Sequence, residues 1–291
     1  MLTTAQRIEY FLDSAIRYLT KIKCPNCGCE SGKLIDSKYM VTRLFECNQC
    51  HLCFRHPVEK VNENKKFYQD DYVESDNITA ILPDKNTLKD LISKGFKTGN
   101  KSAERYIQLF RLLSGGRSDS RVVDYGSSWG YISYQIRQAG FDLQSFEISK
   151  IRADYGNKNL GLEIKTNEAA LEGNVDIFFS SHVIEHHPDI PGMMNLAGRL
   201  LKPDGLFIAV CPNGSEEFRK NNFYSFHHSW GKVHPNYLTN EFYQKRFSNN
   251  PYYIGSSPFN FDRISKFDRE QYIDSLCGEE LILITQMNVS I

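Results

Sequence analysis

The 291-residue chain has no apolar run approaching the roughly 18 residues that a membrane-spanning helix requires, so a spanning protein is excluded. It also lacks an excess of either charge. Thirty-five Lys and Arg stand against 35 Asp and Glu, so no net field draws it to a phosphate backbone, and nucleic acid is not an expected partner. Internal repeats and low-complexity tracts are missing, and 41% hydrophobic with 24% charged residues is ordinary globular composition, which excludes the disordered class. The first twenty residues, MLTTAQRIEYFLDSAIRYLT, lack the basic-then-apolar layout of a secretory leader, because Glu9 and Asp13 interrupt them. A cytoplasmic location is expected, with one larger domain and one small module.

Cysteine is present and unevenly placed. Of eight cysteines, six lie between Cys24 and Cys53, while Cys211 and Cys277 stand alone. Cys24-x2-Cys27 and Cys47-x2-Cys50, nineteen residues apart, match a ribbon in which two turn-borne thiolate pairs complete a tetrahedron around structural Zn2+. Cys29 and Cys53 are in phase with neither pair, and His51 and His56 are outside alternatives. The near-balanced charge of residues 1–75 does not mark the ribbon as a nucleic-acid finger.

Ile8, Phe11, Leu12, Ala15, Ile16 and Leu19 form a helical stripe that predicts a helix packed on a neighbour. Residues 1–75 are read as this helix and the zinc-ribbon module. Residues 76–101 are read as a linker within a polar, irregular stretch that begins near 57 and carries Phe67, Tyr68 and Tyr72. Residues 102–291 are read as the larger domain. Ser102 is expected to cap a helix ending at Gly115-Gly116, after which strands at 121–125, 143–147, 162–165, 175–180 and 206–210 alternate with helices near 129–139, 149–159 and 190–201. Thr239 should cap a further helix, and PYYIGSSPF and EELILITQMNV should form two closing strands. Alternation of this kind predicts an α/β fold, doubly wound around a mostly parallel sheet.

The strongest motif is VVDYGSSWG, residues 122–130, an apolar strand entering a D-x-G-x-x-x-G turn that opens a helix. Gly126 and Gly130 suit a tight turn approached closely by a ligand. Glu147, at the end of the next strand, stands where an acid accepts both hydroxyls of a ribose. The G-x-G-x-x-G of a dinucleotide cradle is missing, so a nucleoside ligand fits better than NAD. Further along, His182-Val183-Ile184-Glu185-His186 fits the H-x-x-E-H of inverted zinc proteases. That chemistry needs a helix, and these residues directly follow the strand VDIFFSS. Beyond a central strand, His182 and His186 can face the ligand crevice and take a proton from a hydroxyl. A second segment, FHHSWGKVHPNY, interleaves aromatics with imidazoles as a polyhydroxyl ligand requires, and makes His234 a further candidate base.

From about Ser102 onward the chain resembles the class I S-adenosylmethionine-dependent methyltransferases. VVDYGSSWGYIS is similar to their first motif, SFEIS to the ribose-binding acid, VDIFFSSHVIEHHPD to the stretch after strand four, and RLLKPDGLFIAVCPN to the helix-to-strand-five signature. The resemblance implies a seven-stranded Rossmann-like sheet and S-adenosyl-L-methionine as cofactor. It places Asp124, Gly126 and Gly130 at the methionine end, Glu147 on the ribose, Asn167 or Glu168 at the adenine, and Ser181 in the same shell. Ser128, where many members have Gly, departs from the pattern and implies a slightly different turn.

A cysteine module, a tyrosine-rich FYQDDYVES and then the catalytic domain resemble bacterial methyltransferases of sugar and surface-polysaccharide biosynthesis. The implied reaction is O-methylation of a sugar, nucleotide-sugar or polysaccharide hydroxyl, with a small-molecule or glycan acceptor. Methylation of a sugar carbon beside a keto group, an RNA methyltransferase, and a zinc-ribbon interaction protein without catalysis are the alternatives.

Overall fold

A computed structural model of the chain describes residues 4–58, 81–97, 100–117 and 119–287. The expected aromatics Phe67, Tyr68 and Tyr72 lie outside the described residues, as does the expected boundary near residue 75. Helix α1 (Thr4–Arg17) precedes three antiparallel strands, β1 (Gly32–Lys38), β2 (Thr42–Cys47) and β3 (Cys53–His56). Helices α2 (Lys85–Ser93) and α3 (Glu104–Leu113) follow. The alternating region comprises β4 (Arg121–Tyr125), α4 (Tyr131–Gln138), β5 (Asp142–Phe146), α5 (Lys150–Leu160), β6 (Ile164–Lys165), β7 (Val175–Ser181), α6 (Ile190–Leu200) and β8 (Leu201–Pro212). After α7 (Glu216–Asn221) and α8 (Phe223–Ser229) come β9 (Asn236–Tyr237), β10 (Tyr252–Ser256), β11 (Gln271–Ile273) and β12 (Glu280–Gln286).

The large sheet runs β11-β10-β12-β8-β7-β4-β5-β6. Strands β8, β7, β4, β5 and β6 are mutually parallel, and β12 lies antiparallel between β8 and β10. Parallel strands are buried on both faces, which is why their sequences read as continuous apolar runs. Successive residues then enter opposite cores. Val123, Tyr125, Phe178, Phe207 and Ala209 belong to one core, whereas Val122, Ile177, Phe179, Ile208 and Val210 belong to the other. The chain order reverses beside β4, so the carboxyl ends of β4 and β7 open the crevice in which such sheets bind ligands.

Several expectations are corrected. The sheet has eight strands and not seven, because the three-residue β11 adds itself parallel to β10 at the edge. The α3 N-cap is Ala103, with Ser102 Oγ accepting from Glu104 N at 3.3 Å from one position earlier. The supposedly irregular stretch contains α2, capped by Asp84, because Leu88 and Phe96 are buried against Trp129. Helix α1 forms, but its apolar stripe faces outward: Ile16 is 81% and Leu19, just past the helix, 90% exposed. The opposite side is seated, with Ser14 buried and the Tyr10 hydroxyl accepting from Arg55 at 3.0 Å.

The cysteine-bearing sheet is completed from elsewhere in the chain. Strand β9 pairs with β3 through Cys53–Tyr237 and Phe54–Asn236, making four strands in the order β1-β2-β3-β9. Phe45, Leu52 and Phe54 share one continuous core with Met194, Leu238 and Phe242. Module and sheet therefore should unfold together. Replacing the fully buried Phe54 by Ala is expected to lower stability by about 3–5 kcal/mol. Urea unfolding followed by circular dichroism should show one shifted transition. A small early transition that leaves the main one unmoved would show independent units.

Candidate active site

The turn after β4 is held by its neighbour strand. Gly126 N and Ser127 N both donate to the Phe146 carbonyl, at 2.8 and 2.9 Å. Gly126 and Gly130 both have φ +84°, and a Cβ at Gly126 would lie 2.2 Å from Val183 Cγ2. A Cβ at Gly130 would lie 2.4 Å from Leu162 Cδ1. The left-handed backbone favours glycine at both positions, and at Gly126 the seat of Val183 adds to it, beside the ligand-approach argument made from sequence. Ser128, at φ 53°, occupies the left-handed region despite its side chain.

Glu147 lies immediately beyond β5 and is buried. Its Oε2 accepts from Ser128 N and its Oε1 from Ser149 N, each at 2.8 Å. An ionised carboxylate offers about four lone-pair positions, so two remain for the hydroxyls of a ribose. Burial pushes the Glu147 pKa up, while the backbone N–H groups and the Arg152 charge oppose this. The residues present therefore fit a nucleoside cofactor. Asp124 is tied inward, accepting from Ser133 Oγ at 2.5 Å, and burial raises its pKa to about 6 against that bond. Asn167 caps a short 3-10 turn by accepting from Ala169 N at 3.0 Å. Glu168 accepts from the Tyr125 hydroxyl at the end of β4. The Ser181 hydroxyl pairs with Tyr106 Oη at 2.9 Å.

All three candidate bases gather around one buried carboxylate. Glu185 sits on a short 3-10 turn, Ile184–His186, directly after β7. His182 Nδ1 lies 3.4 Å and His186 Nε2 3.6 Å from Glu185 Oε1. The His186 and His234 ring centroids are 4.7 Å apart. His234 arrives from the chain preceding β9, where Arg55 N donates to the Pro235 carbonyl at 2.7 Å and Thr239 Oγ1 to the His51 carbonyl at 3.0 Å. The module thus helps to place a side chain of the crevice.

Electrostatics separates the imidazoles. Burial works to lower the His182 pKa, but the carboxylates of Glu185 and Glu280 outweigh it and raise it to about 10. His182 Nε2 lies 2.9 Å from Glu280 Oε1, and Arg105 holds the same carboxylate through both terminal nitrogens. Burial alone would raise the Glu280 pKa, yet His182 and Arg105 bring it down to about 2. Burial depresses His186 to about 4, against the pull of Glu185. Arg105, Glu185 and Glu280 were missed as site residues by sequence reasoning. Glu185 stood in the quoted HVIEH motif, whereas nothing local marked Glu280 at the head of the closing strand.

Beside this cluster lies a cavity of about 300 Å³, lined among others by His182, Phe218, Ser225, Ser229, Tyr237 and Glu280. Elsewhere in the His-rich segment, His227 Nδ1 is 2.6 Å from Asp36 Oδ2, and Trp230 Nε1 donates to the same oxygen at 2.8 Å, so these two tie α8 to β1.

Cys24, Cys27, Cys47 and Cys50 converge, with Sγ–Sγ distances of 3.6 Å for Cys24–Cys50 and 3.5 Å for Cys27–Cys47. A tetrahedron with Zn–S bonds of about 2.3 Å has edges of about 3.8 Å, so the four thiols fit a zinc ion. Cys29 stands apart against the Ser31 carbonyl, and Cys53 is buried 3.3 Å from Arg219 Nη1.

A parallel sheet that reverses beside a glycine turn, with an acid at the end of the adjoining strand, defines a nucleoside-binding protein of the doubly wound α/β class. Residues 99–257 match the family model described as a methyltransferase domain, and the chain belongs to that family. The matched region is therefore a methyltransferase domain. The ubiquinone biosynthesis O-methyltransferase of Methylocella silvestris is 26% identical over 136 residues, 43% of this chain and 50% of that protein. The chain thus matches about half the length of that curated relative. Among solved structures, the plantazolicin methyltransferase BamL, in complex with a triazolic desmethylPZN analog and SAH, aligns with a TM-score of 0.50 at 12% identity. The alignment covers 78% of this chain and 97% of that one, a likeness of fold. The magnesium protoporphyrin IX methyltransferase of Synechocystis PCC 6803, with bound SAM, aligns with a TM-score of 0.46 at 16% identity, over 79% and 98% of the two chains.

Glu147 gives the direct test of the cofactor side. Two hydroxyl bonds to a buried carboxylate are worth about 1.5–3 kcal/mol, so Glu147→Ala should weaken S-adenosylhomocysteine binding by about 10–150-fold in calorimetry. Unchanged affinity would remove the assignment.

Proposed function

We propose that this methyltransferase acts in the cytoplasm on a hydroxyl oxygen of a sugar, nucleotide-sugar or surface polysaccharide. The observation that carries the reading is the cavity beside the imidazole cluster, whose lining combines Ser225, Ser229 and Ser257 with Phe218 and Tyr237. Rings cover the apolar faces of a sugar while hydroxyls bond its edges. Glu280 in the lining is neutralised by Arg105 and His182, and no Lys or Arg is among the described residues that line the cavity, so nothing there draws in a polyanionic RNA strand.

On the cofactor side, Glu147 is assigned to the ribose, and Gly126 and Gly130 with Asp124 behind them to the methionine end. Asn167 or Glu168 is assigned to the adenine, and Ser181 to the adjoining wall. S-adenosylmethionine, when bound, supplies a methyl carbon on a sulfonium, which the acceptor oxygen takes as the carbon–sulfur bond breaks. This chain's residues align that oxygen and dispose of its proton. Alignment supplies the larger share, up to about 7–11 kcal/mol, and removal of the proton adds about 10²–10⁴-fold.

The proton is handled by the cluster of Glu185, His186 and His234, with His182 alongside it. His186 Nδ1 faces the Val233 carbonyl, and His234 Nδ1 lies 2.7 Å from the Ser229 carbonyl. A carbonyl only accepts, so each Nδ1 carries the hydrogen and each Nε2 the lone pair. His182, clasped between two carboxylates, instead anchors Glu280 and the wall of the cavity. The four-cysteine cluster is assigned a structural Zn2+, a closed site with no open position for substrate.

Methylation of a panel of glycosides and nucleotide-sugars, followed by mass spectrometry, tests the acceptor class. His234→Asn should lower turnover on the responding acceptor by about 10²–10⁴-fold while leaving S-adenosylhomocysteine affinity unchanged. Methyl incorporation into RNA with none into any sugar would overturn the reading.

A further inference from the structure

Glu185 is fully buried, and neither of its carboxylate oxygens has a hydrogen-bond partner among the described residues. The His182 imidazolium, 3.4 Å from Oε1 and shared with Glu280, answers part of this charge, and Oε2 has no partner among the described residues, so the carboxylate keeps an uncompensated cost that a further cation would relieve. The side chains brought nearest to it are imidazoles. Those of His186 and His234 have their Nδ1 atoms set against backbone carbonyls, the outer hydrogen bond that orients a metal-ligating histidine and fixes its tautomer. One oxygen of Glu185 and one ring nitrogen from each of the two histidines lie within 4.8 Å of one another.

We propose that Glu185, His186 and His234 hold a divalent cation at the floor of the acceptor crevice, separate from the cysteine site. Bonds of about 2.0–2.2 Å would place the ligand atoms about 3.4 Å apart, which a small inward turn of the half-buried imidazoles supplies. Three protein ligands leave open positions. An acceptor hydroxyl oxygen bound there loses its proton to solvent more readily, because the cation stabilises the oxyanion. The inference deepens the proposed function by making the two imidazoles ligands in place of proton acceptors. It also commits the substrate to an oxygen donor that can enter a metal's coordination sphere.

The site is tested with zinc itself. By the Irving–Williams order, a site built for a weaker-binding divalent ion such as Mn2+ also takes Zn2+. Full-length protein, dialysed against buffered zinc and analysed for metal, should hold one more zinc per chain than either Glu185→Gln or His234→Asn. His228→Asn, at an exposed position of the neighbouring helix, should match wild type. Equal zinc in wild type and both variants would overturn the proposal, whether the shared value reflects the cysteines alone or adventitious uptake. Each variant is checked by S-adenosylhomocysteine calorimetry. Normal cofactor binding with no Glu185-dependent zinc would leave the methyltransferase reading standing and remove only the cation. Should Glu185→Gln fail to fold, His234→Asn, at a half-buried position, decides the matter by itself.

Discussion

Val183 occupies the space that a Cβ at Gly126 would need, and the two halves of the active site meet through that contact. The turn after β4 carries Gly126 and Gly130, the groups proposed for the cofactor side, whereas the segment after β7 carries His182, Glu185 and His186. Because Val183 seats against the bare backbone of Gly126, the segment after β7 cannot lift away without opening a void beside the turn. The turn in turn is fastened to β5 by two amides on the Phe146 carbonyl and by Ser128 N on Glu147. Sites from three strands are thereby held in one rigid arrangement, as methyl transfer requires, since it depends more on alignment than on any single proton acceptor.

The cysteine module has a similar dependence on one pairing. Strand β3 finds its partner in β9, just past His234, so the ribbon and the acceptor side of the crevice share a sheet. Arg219 adds an ion pair to Glu46 at 3.2 Å and lies against Cys53, binding α7 to the same module. A thirty-residue ribbon has little core of its own, and here its buried face is the flank of the methyltransferase domain. A metal held by the cysteines would therefore bear on the crevice through the backbone and not through chemistry.

Charge within the crevice is arranged in two layers. Arg105, Glu280 and His182 form a chain of alternating sign along one wall, each partner stabilising the charged form of the next. Behind them Glu185 shares His182 with Glu280 at the longer distance of 3.4 Å, its Oε2 has no hydrogen-bond partner among the described residues, and the other two imidazoles approach it with their proton-bearing nitrogens turned away. The wall resembles a structural ion-pair network, whereas the floor has the unsatisfied polarity of a site awaiting a ligand.

Much of this was legible in one dimension. The β-α alternation, the D-x-G-x-x-x-G turn, Glu147 and the two Cys-x2-Cys pairs are local patterns, because strand burial, left-handed turns and turn-borne thiolates each impose residue types at short spacing. The α1 stripe is equally local, but periodicity says only that one face is apolar, and the fold seated the Tyr10–Ser14 side instead. Other features depended on which segments meet. The eighth strand is three residues long, too short to carry a pattern. The approach of His234 to Glu185, the Arg105–Glu280 pair and the union of β3 with β9 join residues distant in sequence. Short-range sequence patterns record a residue's own backbone and burial needs, whereas the partner across the crevice is chosen by how the sheets close, so only the tertiary structure decided the chemistry of the site.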